Sequence, residues 1–161
     1  MDMLIEIIKE EKKVIIAILI LLFISTQLIG LSIVHGESME PTLSDRNFLI
    51  YQRSVSEINH DDIILVQRPG SHIIVKRVIG LPGDHVLLRD GMVFVNGEKQ
   101  ESNYETIQNN EDQYEGTVKE GTLFILGDNR QDSLDSRSAG LYDIDHVKGK
   151  IIMRLLPFET F

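Results

Sequence analysis

Between Val14 and Val34 the chain runs for 21 residues without a charge, and only Ser25, Thr26, Gln27 and Ser32 within it are polar. As a helix, such a run rises about 31 Å, close to the hydrocarbon thickness of a bilayer. A cleavable leader would have a shorter apolar core and a small-x-small exit. A helix buried in a globular core would be shorter and amphipathic. The run therefore predicts a spanning anchor over 14–34. Lys9, Lys12 and Lys13 precede it, whereas His35-Gly36-Glu37 follow. Positive residues are retained on the cytoplasmic side, so residues 1–13 are expected in the cytoplasm and 35–161 outside the cell membrane.

The segment after the run carries 13 Lys and Arg against 21 Asp and Glu. This acidic balance argues against nucleic acid as a partner and against a basic patch for anionic lipid. The chain has no cysteine, which excludes disulfides, thiolate nucleophiles and cysteine-based zinc sites. The five histidines, His35, His60, His72, His85 and His146, are scattered without a metal-ligand spacing, so no metal and no cofactor is expected.

Short apolar runs separated by turn signals predict a mainly β domain, as two antiparallel sheets or a partly closed barrel. Strands are expected at Phe48–Gln52, Asp62–Gln67, Ile73–Ile79, Val86–Leu88, Met92–Val95, Thr122–Leu126 and Val147–Leu155. Asp90-Gly91 and Asn96-Gly97 supply the positive φ that two-residue hairpin turns require. A short helix is expected around Ser54 to Asn59. Glu98 to Glu120, with seven acids and two lysines, reads as an exposed, poorly packed part of a small polar insertion spanning about 84–121.

Three constellations carry chemistry. In Gly36-Glu37-Ser38-Met39-Glu40-Pro41, Pro41 forces Glu40 into an extended conformation and Gly36 allows unusual torsions, so Ser38 sits on a stiff loop just past the anchor. By alternation, Lys76 shares a strand face with Ile74 and Val78, and Arg77 shares the other with Val75 and Ile79. Both faces are apolar, so one of these cations is expected to be buried. A lysine of ordinary pKa is neutral only about 0.04% of the time at pH 7, and lowering that pKa by ~2 units raises the fraction about a hundredfold. The third constellation, Gly127-Asp128-Asn129-Arg130-Gln131-Asp132-Ser133-Leu134-Asp135-Ser136-Arg137, packs acids and arginines into a loop at a strand end, where bidentate Asp–Arg pairs can brace a site. From these residue types alone, Ser44, Ser54, Ser56, Ser71, Ser102, Ser136 and Ser138 compete with Ser38 as nucleophiles, and a Ser-His-Asp triad stays open.

The ordered motifs GESMEPTL, VKRVIGLPGD and GDNRQDSLDSR after an anchor resemble the type I signal peptidases. The third matches the family pattern GDNRxxSxDSR at every fixed position, and the resemblance extends from the anchor to the last strand. It implies a Ser–Lys dyad, with Ser38 as nucleophile and Lys76 as general base. It implies that Ser133 orients the lysine amine, that Asp128, Arg130, Asp135 and Arg137 hold the loop, and that Met39 lines the substrate site. The fold implied is a single transmembrane helix followed by the antiparallel β core shared with self-cleaving SOS-type repressors. Roughly 40 residues separate Asp84 from Gly127, which resembles the compact Gram-positive form. The expected partners are signal-peptide-bearing preproteins at the lipid bilayer, cut after small-x-small motifs. Some members place a Ser or Thr hydroxyl two residues before the nucleophile to bind the oxyanion. That position is Gly36 here, and losing such a donor can cost about a hundredfold in rate. An inactive, membrane-anchored binding relative would be expected to lack Ser38 or Lys76, and a self-cleaving repressor would carry a DNA-binding domain in place of the anchor.

Overall fold

The computed structural model describes Lys12 and residues 14–19, 27–68, 70, 72–100 and 113–161. Twelve strands lie among these residues, paired antiparallel throughout. The larger sheet contains β1 (Ile29–Ile33), β2 (Phe48–Gln52), β3 (Ile63–Gln67), β4 (Ile73–Gly80), β9 (Thr122–Leu126), β10 (Tyr142–Asp143), β11 (Val147–Arg154) and β12 (Glu159–Thr160). Its order is β1-β2-β11-β3-β4-β9-β10, with β12 paired to β11. The smaller sheet contains β5 (His85–Arg89), β6 (Met92–Val95), β7 (Glu98–Lys99) and β8 (Tyr114–Thr117), ordered β7-β6-β5-β8.

The apolar run at 62–67 is continuous because β3 is covered on both faces. Ile63 and Leu65 join Val34, Met39, Leu43, Leu49 and Ile151 in one core cluster. Ile64 and Val66 join Val78, Leu123, Ile125 and Tyr142 in another. A third cluster welds the two sheets together, with Val86, Leu88, Val93 and Val95 of the small sheet packed against Ile79, Phe124 and Leu126 of the large one. Gly80 belongs at this junction because a Cβ there would press on Val86 and Val118. The predicted hairpin turns are present: Asp90 and Gly91 have φ of 51° and 73°, and Asn96 and Gly97 of 53° and 85°.

Three expectations need correction. Residues 14–19 are helical and residues 20–26 of the expected anchor lie outside the described residues, but Ile29–Ile33 is a strand paired with β2 from Ile29↔Gln52 to Ile33↔Phe48. Hydropathy counts apolar residues without distinguishing a helix from a strand, and here the Tyr51 ring lies over Gly30, where any Cβ would collide with it. Among the described residues no helix is long and apolar enough to cross a membrane.

Ser54 to Asn59 is an irregular loop rather than a helix. Side chains satisfy backbone groups that a helix would have used: Gln52 Nε2 donates to the Ser54 carbonyl, and the Asp62 carboxylate accepts the Asn59 N–H. A short helix, α1, forms instead at Ser136–Ala139, capped by the Asp135 carboxylate. The polar insertion is also less loose than its composition suggests. Residues 101–112 lie outside the described set, but Tyr114–Thr117 pairs with β5, the Tyr114 ring lies 4.5 Å from that of Phe124, and Val118 is buried.

Val118→Ala should therefore cost about 2 kcal/mol of stability, the size expected for removing buried methyl groups from a core, read as a lower urea midpoint at unchanged slope. An unmoved midpoint would mean that this end of the insertion is not part of the core.

Candidate active site

Ser38 follows β1 on a loop pinned at both ends. Leu43 N–H donates to the Met39 carbonyl and Glu40 N–H to the Glu37 carbonyl, while the Met39 and Leu43 side chains are fully buried. Gly36, with φ of 91°, lets the chain turn into the loop, and its N–H donates to Asp45 Oδ1 at 3.0 Å. Gly36 is therefore committed to loop structure rather than to the oxyanion, and it does not line the cleft, whereas Met39 does.

Lys76 lies in β4 between β3 and β9, opposite Ile64. Both cations of this strand are buried, not one as the alternation suggested: Lys76 is 2% exposed and Arg77 7%. Lys76 Nζ lies 2.6 Å from Ser38 Oγ and 3.0 Å from the Val75 carbonyl. Burial pulls the Lys76 ammonium down from 10.5 to about 8. The nearby carboxylates of Asp135, Asp128 and Asp132 resist that shift, and the Arg137 charge assists it. At a pKa of about 8, roughly a tenth of the amine is neutral at pH 7. In that state its lone pair can accept the Ser38 proton along the contact already made.

The loop 127–137 surrounds the pair. Arg77 donates through Nε and Nη2 to both oxygens of Asp128, at 2.9 and 2.7 Å, and through Nη1 to the Asp61 carbonyl. Asp135 accepts both Nε and Nη2 of Arg137, at 2.8 and 3.0 Å, and the Gly127 N–H. Burial alone would raise the Asp135 carboxyl, but these hydrogen bonds and the Arg137 charge hold it below its ordinary value. Arg130 donates to the Gly127 carbonyl, and Arg137 Nη1 to the Arg130 carbonyl. Ser133 Oγ is buried and makes no hydrogen bond to the Lys76 amine; its hydroxyl lies toward Asp135, where it helps to lower that carboxyl without meeting full hydrogen-bond geometry. It lies against Gly127, where a Cβ would collide with it and with the Ser38 carbonyl.

A cleft of about 690 Å³ opens beside the pair, between Leu31–His35 of the β1 side and Ile73–Lys76 of β4. Its floor includes Met39, Tyr51 and Leu65. A buried amine on a serine hydroxyl at one end of an apolar, strand-lined trough suits attack on an extended peptide.

The model of the family described as signal peptidase, peptidase S26, matches residues 5–156. The chain belongs to the signal peptidase family. Curated members include signal peptidase I of Bacillus licheniformis, 36% identical over 92% of this chain and 88% of the relative. Signal peptidase IB of Staphylococcus aureus is 31% identical over 91% and 87%. Among solved structures, signal peptidase I from Enterococcus faecalis superposes with a TM-score of 0.53 at 31% identity, covering 60% of this chain and 98% of that one.

In this signal peptidase chain Ser38 and Lys76 are in contact and the 127–137 loop lies beside them, whereas Gly36 does not line the cleft and Ser133 Oγ makes no hydrogen bond to the Lys76 amine. The bidentate partner of Asp128 is Arg77, from the strand that carries Lys76. Sequence reasoning also passed over Asn129, which donates its N–H to the Ser38 carbonyl at 3.1 Å and its side-chain amide to the Glu37 carbonyl at 3.2 Å. Its position inside the densest motif was the available signal. Arg154 was missed as well: at the end of β11, its Nη1 donates to the Thr42 carbonyl at 2.6 Å, bracing the far side of the Ser38 loop.

Below about pH 8 the buried ammonium is charged in folded and unfolded chains alike, and its desolvation costs up to about 3 kcal/mol. Between pH 8 and 10.5 only the unfolded chain keeps the proton, so that cost fades and stability rises with pH. Urea unfolding across this window should show the rise in the wild type and lose it in Lys76→Met. Parallel curves for the two proteins would contradict burial of the amine.

Proposed function

We propose that this chain is a membrane-bound serine endopeptidase that removes signal peptides from exported preproteins, with Ser38 as nucleophile and Lys76 as general base. The observation that carries the reading is the 2.6 Å contact between the Lys76 amine and the Ser38 hydroxyl, with the amine buried. Membership of the signal peptidase family supports the substrate class.

The substrate lies extended in the cleft between β1 and β4, adding a strand to their edges. Its small residues at the first and third positions before the bond face the apolar floor. Neutral Lys76 takes the proton from Ser38 Oγ as that oxygen attacks the scissile carbonyl carbon. The Ser38 N–H is the backbone donor to the oxyanion. Collapse of the tetrahedral intermediate expels the amine of the mature protein, which receives the proton from Lys76. Water, deprotonated by Lys76, then attacks the ester, and Lys76 returns that proton to Ser38 Oγ as the C–O bond breaks and the signal peptide leaves with a new carboxylate. Ser133 is assigned the orienting of the amine between these steps, a contact that its buried hydroxyl does not make in the resting arrangement. Asp128, Arg130, Asp135 and Arg137 fix the loop that carries Ser133. No metal or cofactor enters the scheme.

The charge-free residues ahead of β1 form the anchor, with the lysines at its N-terminal end in the cytoplasm and the catalytic domain outside. Because β1 starts at Ile29, only the part of the charge-free run ahead of it is left for an anchor, a length that as a helix would rise about 22 Å. The site is thereby held close to the membrane surface, where a preprotein's apolar segment is already embedded.

Cleavage of a synthetic preprotein should be lost in Ser38→Ala and in Lys76→Met, with folding retained. More than a few per cent residual activity in either rejects the dyad. In the wild type, kcat/KM should rise about tenfold per pH unit through neutrality and level off above pH 8; a flat profile from pH 5 to 9 contradicts a titrating lysine. Protease added to intact cells should digest the β domain, and digestion confined to lysed cells would reverse the orientation.

A further inference from the structure

The 2.6 Å contact between nucleophile and base joins a loop to a strand, and its length depends on how the one is held against the other. A short circuit of bonds closes between them. Lys76 is followed in β4 by Arg77, whose guanidinium grips both oxygens of Asp128. The next residue, Asn129, reaches the consecutive carbonyls of Glu37 and Ser38, and Ser38 Oγ returns to the Lys76 amine. Within this circuit only Asn129 crosses from the 127–137 loop to the loop that carries the nucleophile.

The orientation of the Asn129 amide is dictated by its neighbours. Oδ1 accepts the Asp132 N–H at 3.3 Å, and Nδ2 donates to the Glu37 carbonyl. Rotating the amide by half a turn would set oxygen against oxygen at Glu37 and donor against donor at Asp132, so one orientation alone satisfies both contacts. The Glu37 carbonyl, which also receives the Glu40 N–H, is thereby saturated by one bond from its own loop and one from Asn129.

On this geometry, and resting on Ser38 as the nucleophile, we propose that Asn129 is a positioning residue: its side-chain amide sets the distance from Ser38 Oγ to the Lys76 amine. Asn129 is not among the residues that line the cleft and makes no hydrogen bond to the Lys76 amine, so its loss acts on the chemical step rather than on substrate binding. A displacement of the nucleophile by about 1 Å is enough to lower a rate by about a hundredfold.

The test uses the full-length chain and a peptide spanning a small-x-small cleavage site, with kcat and KM measured from pH 7 to 10 so that amine ionisation is separated from the plateau rate. Asn129→Asp keeps the acceptor for the Asp132 N–H but replaces the donor facing Glu37 by an oxygen; Asn129→Ala removes both. Both variants should lower the plateau kcat about ten- to a hundredfold, with KM within about threefold of the wild type and the urea midpoint nearly unmoved. A plateau kcat within about twofold of the wild type in either variant overturns the proposal, as does a loss expressed in KM alone. Ser38→Ala in the same assay separates the two readings. If it is active, the nucleophile has been misassigned. If it is inactive while Asn129→Ala and Asn129→Asp are unimpaired, the dyad stands and the positioning role falls.

Discussion

Removing the Lys76 ammonium from water is the constraint around which the site is arranged. A lysine at a sheet surface would carry its proton at physiological pH and could accept nothing. With the Ser38 hydroxyl set against its amine, Lys76 is almost wholly buried, and its pKa settles at about 8. A deeper desolvation without compensation would be hard to fold around. A carboxylate in direct contact would restore the charge and extinguish the base. The structure lies between these limits: Asp128 and Asp135 are near enough to oppose the shift, yet each is engaged by an arginine of its own.

This division of partners explains why the 127–137 loop is so densely charged. Two buried carboxylates beside a buried amine would form ion pairs with it unless something else claimed them. Arg77 claims Asp128, and Arg137 claims Asp135. Buried pairs of this kind contribute little net stability, because desolvation offsets the attraction. Their value here is geometric. The bidentate fork fixes both the carboxylate and the backbone that follows it, and that backbone includes Asn129 and Ser133.

Much of this was legible in the residues. Alternation located the strand that carries Lys76 to within one residue of its observed end, and the hairpin glycines appeared with the positive φ expected of them. The motif order brought Ser38, Lys76 and the 127–137 loop to one place. What sequence did not convey was partnership. Adjacency within GDNRQDSLDSR suggested Asp–Arg pairing inside that loop, but the bidentate partner of Asp128 comes from 51 positions away. Nor did the alternation show that both Lys76 and Arg77 are buried, since it is the Ser38 hydroxyl and the Asp128 carboxylate, both from distant segments, that meet them on opposite faces of the strand. The strand at Ile29–Ile33 was hidden in a run whose hydropathy alone favoured a longer helix. Only the close fit of Gly30 to Tyr51 marks it, and that fit is invisible without the pairing partner.

The central claim is that burial leaves roughly a tenth of the amine at position 76 deprotonated at pH 7, far more than an ordinary lysine. A direct reading comes from NMR titration of the Lys76 side chain in the full-length chain, with the signal assigned by its absence in Lys76→Met. A midpoint near 8 is the result expected from the geometry. A midpoint near 10.5, in a chain whose β core is folded, would contradict it.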